Sequence, residues 1–338
     1  MHNRQQVNLQ NKTNGLLNWM MQPKSHCLKN EKGFVIQSIF DSIYASYSVL
    51  DESNIETSKK EYSIKKLDSE KYNTEFLQPV LEISEIVKDK MSDYILDFIL
   101  HGSLSTHDFI PGWSDFDSMV IIKNKVLGDS FRMMRLRSMF HDVDEIIRKI
   151  DRHQHHGIHF ITEKDLLMYP SLFLPHNIFR DSVSLMSGGR LSLCVRDSID
   201  EEICRFNSIY NTFKNAYSGG VLRHHEYNGE YLMRSFINYK NAMYQLKYYL
   251  SVIVMLPSYF MNILGKHPSK RRAIEDCRKI MKGSQFEIID KATLIRSRWN
   301  QFPVSSNEIP KDVMDILGKN YFFEGYNLIK EMKKYLEV

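Results

Sequence analysis

The chain has little of what small exported or metal-clustered proteins depend on. Its 338 residues include only four cysteines, Cys27, Cys194, Cys204 and Cys277, which are far apart and form no C-x-x-C pair. Neither a zinc cluster nor a disulfide framework is therefore expected, and a reducing, cytoplasmic setting is the simplest reading. The opening residues, MHNRQQVNLQNKTNG, lack the apolar core of a signal peptide. Charge of one sign is scarce too: the formal net charge is +4. So small an excess over this length is no strong argument for a nucleic-acid partner. Neither G-x-x-x-x-G-K-[ST] nor G-x-G-x-x-G occurs, which disfavours P-loop and Rossmann nucleotide sites.

Long apolar runs are nearly absent. The one uncharged stretch of membrane-like length is Tyr248 to Gly265, 18 residues interrupted by Ser251, Pro257, Ser258 and Asn262. It is expected to be a core helix broken at Pro257, with no membrane partner. A membrane-attached protein using residues 248–265 is the competing reading.

What is present is an ordinary globular composition, 43% hydrophobic and 25% charged, long enough for two cores. Residues 1–76 are the least regular and are expected to form a partly helical extension. Within it a helix is expected over Lys32 to Leu50, followed by a Lys/Glu-rich solvated loop or hairpin over Asp51 to Glu75. Val80, Ile83, Val87 and Met91 recur at three and four residues and predict a helix ending near Asp93. Tyr94 to His101 and Phe116 to Ile122 read as strands joined by a turn-rich linker with Pro111 and Gly112. Gly128-Asp129-Ser130 opens a helix to about Ile150, with Asp129 or Ser130 as N-cap. Gly157 to Thr162 reads as a third strand and Ser182 to Met186 as a fourth. Beyond Asp197 helices are expected at roughly 198–217, 230–256, 268–281, 286–299 and 320–337. The expected organisation is an α/β domain with a mixed sheet over residues 77–220, then an all-helical bundle over 221–338.

The chemistry concentrates in HGSLSTHDFIPGWSDFDSMVIIK, residues 101–123. On a strand, side chains two apart share a face, so Asp115 and Asp117 present two carboxylates together while Phe116 packs on the other side. Two such carboxylates repel unless a cation lies between them, and magnesium, or manganese, held by carboxylates and substrate phosphates suits that pair. Gly102 lets backbone approach a phosphate closely, and Ser103 adds a hydroxyl. Together these residues describe a clamp for a metal-bound triphosphate.

The order Gly-Ser, spacer, Asp-x-Asp between two strands resembles the polymerase-β-like nucleotidyltransferase superfamily, here through Gly102, Ser103, Asp115 and Asp117. Within it the chain is most similar to the streptomycin/spectinomycin-type aminoglycoside adenylyltransferases. Looser likenesses run through HFITEKDLLMYP, SVSLMSGGRLSL and GKHPSKRRAIEDC. The resemblance covers about residues 80–338. It implies an α/β nucleotidyltransferase domain followed by a helical domain, magnesium, ATP or another NTP as donor, and transfer of a nucleoside monophosphate to a hydroxyl with release of pyrophosphate. By the same comparison Lys270 corresponds to a helical-domain lysine that touches the triphosphate.

Where the superfamily carries a third carboxylate on the next strand, this chain has His159; neither Asp151 nor Glu163 restores the pattern without shifting the strand. Three alternatives stay open at this stage: His159 is the base for the acceptor hydroxyl, or a structural histidine in a protein that binds nucleotide without turnover, or the strand register differs. His153, His155 and His156 read as solvated loop histidines. Glu226 and Glu230 point weakly to a cationic acceptor. Tyr248, Tyr249, Tyr259, Phe260, Phe322 and Phe323 read as core first and as acceptor-pocket lining second.

Overall fold

The computed structural model describes residues 2–22, 33–50, 57–150, 157–169, 174–196, 199–219, 242–281, 283–302 and 308–336. Along the chain come α1 (His2–Met21), α2 (Gly33–Ser48), β1 (Ser58–Lys66), α3 (Ser69–Tyr72) and α4 (Gln78–Ile86). A π turn, Val87–Met91, leads from α4 into β2 (Ile95–Leu100), followed by α5 (Gly102–Thr106) and β3 (Ser118–Ile122). Then follow α6 (Asn124–Leu127), α7 (Ser130–Ile150), β4 (His159–Thr162), a 3-10 turn at His176–Asp181, β5 (Val183–Ser184) and β6 (Gly189–Val195). Helices alone complete the described chain: α8 (Ile199–Gly219), α9 (Ala242–Ile263), α10 (Lys270–Ile280), α11 (Glu287–Ser297), α12 (Lys311–Leu317) and α13 (Tyr321–Leu336).

The protein is therefore mixed α/β, and its described residues form a six-stranded sheet in the order β4-β3-β2-β5-β1-β6. β3 with β4 and β1 with β5 are parallel, and the other neighbours are antiparallel. Alternation along β3 separates two cores. Phe116, Val120 and Ile122 pack with Phe98, Phe140 and Phe160 on the face covered by helices, whereas Met119 and Ile121 pack with Ile99, Ile161 and Leu193 on the other. Of the helices on the first face, α7 is the clearest product of local sequence. The Asp129 carboxylate accepts the Arg132 N–H at 3.0 Å as its N-cap, and Met133, Leu136, Phe140, Val143 and Ile147 form one buried stripe.

Two compact units divide the chain. The first holds the described residues up to Phe109 and from Ser114 to Arg196; the second holds Ile110 to Trp113 together with α8 to α13. Within the segment expected as a partly helical extension, α1, α2 and β1 pack as part of the first unit. The boundary expected near residue 220 lies outside the described residues.

Several expectations need correction. Ser58–Lys66, expected as a solvated loop or hairpin, is β1, joined to β6 over seven residue pairs from Ser58↔Val195 to Ile64↔Gly189. Its strand pattern was masked because only Tyr62 and Ile64 supply apolar side chains to the inner face. The fourth strand is shorter than expected, and the segment after its glycine turn is a further strand, β6. Pro257 does not break α9, which runs through it to Ile263. Losing one helix hydrogen bond at proline costs about 3 kcal/mol. Ile253, Leu256, Phe260 and Met261 are all fully buried around it, and each contributes roughly 1.5–3 kcal/mol. No helix among the described residues is long and apolar enough to cross a membrane.

Candidate functional site

β2 delivers the chain to the Gly-Ser turn. His101 is extended, and its N–H donates to the Asp117 carbonyl at 3.1 Å, so Gly102 and Asp117 leave the sheet side by side. Gly102 has φ +64, in the left-handed region, and a Cβ added there would overlap the Asp117 carboxylate. Glycine is required here on both counts. The turn is fastened from below: Ser105 Oγ and Thr106 Oγ1 donate to the Gly102 carbonyl at 2.9 and 3.0 Å, and the Tyr72 hydroxyl donates to the Leu104 carbonyl at 2.8 Å.

The aspartates precede the strand that was expected to carry them, since β3 begins at Ser118. Phe116 nevertheless anchors them as anticipated, being fully buried in the helix-side core while Asp115 and Asp117 stay part-exposed. Ser103, also part-exposed, follows Gly102 in the same turn. Gly102, Ser103 and Asp117 are therefore brought together, with Asp115 one residue beyond Phe116.

Among the described residues no three His, Cys, Asp or Glu side chains form a metal-holding group. Two carboxylates with hard oxygen donors still fit magnesium or manganese, because magnesium commonly takes one or two protein carboxylates and completes its shell with water and substrate phosphates.

The strand register settles the position of His159. β4 pairs with β3 as Met119↔His159, Val120↔Phe160 and Ile121↔Ile161. Phe160 lies in the helix-side core and Ile161 in the opposite one, so His159 lies on the Met119 and Ile121 side of the sheet, the side from which Asp117 continues. Glu163 cannot replace it. Its Oε2 accepts the Asn124 N–H at 2.7 Å and its own N–H donates to the Ile122 carbonyl, which puts it at the far end of β3. Asp151, His153, His155 and His156 lie outside the described residues.

His159 keeps some exposed surface, yet the protein crowding its imidazole withholds solvent from the charged form, and its pKa falls to about 4. The ring is thus neutral at pH 7. The unfolded chain takes up that proton below about pH 6.5 and the folded chain does not, so stability from this group is present above pH 6.5 and is lost as pH falls towards 4. Urea unfolding of wild type should weaken by about 1–3 kcal/mol more between pH 7 and pH 4.5 than that of His159→Gln. Equal pH slopes for the two proteins would refute the assignment.

Lys270 is the first residue of α10, behind Ser269, in the second unit. Tyr249 and Phe260 are buried in that unit's core, and the Tyr249 hydroxyl donates to the Tyr321 carbonyl at 3.0 Å. Phe323 is exposed. Glu226 and Glu230 lie outside the described residues.

Sequence reasoning missed a buried polar cluster on the first unit. Asp165, fully buried, accepts Gln10 Nε2 at 3.0 Å on Oδ1, and Tyr47 OH at 2.8 Å, Thr162 N at 2.8 Å, Thr162 Oγ1 at 2.9 Å and Asn14 Nδ2 at 3.3 Å on Oδ2. Burial pushes its pKa up and these hydrogen bonds pull against that rise. The available signal was the recurrence of amides at Gln6, Gln10, Asn14, Asn18 and Gln22, one side of α1. No family model, no curated protein and no solved structure matches the chain.

Proposed function

We propose that the chain is a magnesium-dependent nucleotidyltransferase that moves a nucleoside monophosphate, AMP from ATP by resemblance, to a hydroxyl of a small acceptor. The observation that carries this reading is the close approach of the left-handed Gly102 turn to the Asp117 carboxylate, which sets the Gly-Ser backbone beside one member of the carboxylate pair. Gly102 and Ser103 would hold the triphosphate and Asp115 and Asp117 would hold the metal ion, while Lys270 is by resemblance alone the lysine whose point charge touches the triphosphate. A bound magnesium or manganese ion supplies charge neutralisation and alignment of the triphosphate. The acceptor oxygen forms a bond to the α-phosphorus while the bond to the bridging oxygen breaks, and pyrophosphate leaves with that electron pair. The acceptor proton passes to His159 or to solvent.

A second reading has a specific observation in its favour. A histidine with pKa about 4 is a weak base at pH 7, well away from the matched value that acid–base catalysis favours. On this reading the protein binds nucleotide and does not turn it over.

Thermal unfolding in the presence of each NTP with magnesium tests both, because a ligand that binds only the folded state raises apparent stability. Nucleotide at about 100 times its Kd raises stability by about 2.7 kcal/mol. Wild type should show a magnesium-dependent rise with one NTP, and Asp115→Ala and Asp117→Ala should fold and lose it. A rise undiminished in Asp117→Ala would sink the site assignment. Pyrophosphate release across an acceptor panel separates the two readings: its presence supports the transferase. Binding without release, with release gained in His159→Asp, supports the degenerate binder.

A further inference from the structure

Among the described residues β4 is the last strand on its side of the sheet, and none of them forms a strand along its outer edge. Unpaired peptide groups along such an edge are costly when buried and promiscuous when exposed. Here side chains take them. The Ile158 carbonyl accepts Gln22 Nε2 at 2.6 Å, and the Phe160 carbonyl accepts Asn18 Nδ2 at 2.7 Å. The Phe160 N–H donates to Asn18 Oδ1 at 2.7 Å, and the Thr162 N–H donates to Asp165, which α1 itself holds through Gln10 and Asn14.

Spacing explains how a helix performs this task. Four residues of α-helix rise about 6 Å, and two residues of strand advance about 6.6 Å. Gln22, Asn18 and Asn14 therefore meet Ile158, Phe160 and the Thr162–Asp165 turn in succession, with α1 antiparallel to β4. Leucine at Asn18 would satisfy the helix equally well but leave the Phe160 N–H unbonded and its carbonyl with only the longer bond from Asn14 Nδ2 at 3.4 Å. Asn18 and Gln22 are almost wholly buried, and the Asn18 amide is bound a second time, by donation to the Asn14 side chain at 3.1 Å.

The two peptide groups held most closely flank His159. Its own peptide faces β3, and its side chain lies on the Asp117 face, so the angle at which the imidazole leaves the sheet is set by the peptides of Ile158 and Phe160. We propose that Asn18 and Gln22 are positioning residues for the candidate site, holding His159 in line with Asp117 through the backbone on either side of it. This role rests on the nucleotide reading above. An edge guard alone would affect stability and leave ligand affinity untouched.

The test is a double-mutant cycle on Mg·ATP affinity, or on the affinity of whichever NTP wild type binds, measured at a temperature where circular dichroism shows every variant folded. With His159 standing as a substituted third ligand beside the Asp115 and Asp117 pair, Asn18→Leu should weaken binding about tenfold in the wild-type background and by less than about twofold in His159→Gln, since its effect is expressed through that side chain. Equal weakening in both backgrounds, or none in either, overturns the role. Should Asn18→Leu not fold, Gln22→Met, which removes the bond to the Ile158 carbonyl and keeps the shape, carries the same cycle. Failure of wild type to bind any NTP would remove the nucleotide reading and this role with it, whereas wild-type binding that is indifferent to Asn18 and Gln22 removes the role alone.

Discussion

Asp165→Ala should lower the unfolding free energy of the protein by about 3–5 kcal/mol, because each buried donor left without its acceptor costs about 1–3 kcal/mol. The expectation follows from what the substitution strands. Five donors, Gln10 Nε2, Asn14 Nδ2, Tyr47 OH, Thr162 N and Thr162 Oγ1, converge on this one carboxylate. None of the four residues is exposed, and Tyr47 and Thr162 are fully buried, so water has little access to replace the lost acceptor. Those donors come from α1, α2 and the end of β4, and the damage would spread across all three elements. Asp165→Asn retains one acceptor oxygen and turns the other position into a donor facing donors, and should cost less than alanine only if the neighbouring hydroxyls rotate. Urea unfolding at pH 7 measures both. A loss below about 1 kcal/mol for alanine would mean that the cluster is solvated and that its hydrogen bonds contribute little.

The same cluster marks the limit of what periodicity reveals. α7 was legible because its stripe is apolar and its cap is an aspartate, and both signals are local. α1 was not legible, because the side it buries carries Gln10, Asn14 and Asn18, which count as surface residues until their partners are known. Those partners lie more than 140 residues away: Asp165 for Gln10 and Asn14, and Phe160 for Asn18. β1 failed for a related reason. Its inner face holds Tyr62 and Ile64 against four outward or edge lysines and a glutamate, so its strand character comes from pairing with β6 and not from its own alternation. In the candidate site, the Gly-Ser and Asp-x-Asp elements were legible as a local motif, and His159 as the residue opposite β3. The sequence carried no signal for how the histidine is held, because the holding groups are backbone on one side and distant amides on the other.

Gly102→Ala should abolish the magnesium-dependent stabilisation by nucleotide while leaving most of the protein folded. Two effects add at this position. A left-handed residue with a Cβ costs roughly 1–2 kcal/mol in backbone strain. The added methyl would also overlap the Asp117 carboxylate, and the carboxylate can relieve that overlap only by turning away from the Gly-Ser turn. The strain lowers the melting temperature by a few degrees, about 2–4 °C per kcal/mol in a chain of this size. The displacement acts on the site, because it separates the two halves of the clamp. Ser103→Ala removes a hydroxyl without touching φ or Asp117 and should weaken binding by much less than Gly102→Ala, with no change in melting temperature. If Gly102→Ala instead costs the expected stability and binds nucleotide as wild type does, the close approach of Gly102 to Asp117 is a packing feature and the phosphate site lies elsewhere. If both variants bind normally, the Gly-Ser turn has no part in nucleotide recognition, and residues 101–123 contribute the carboxylate pair alone.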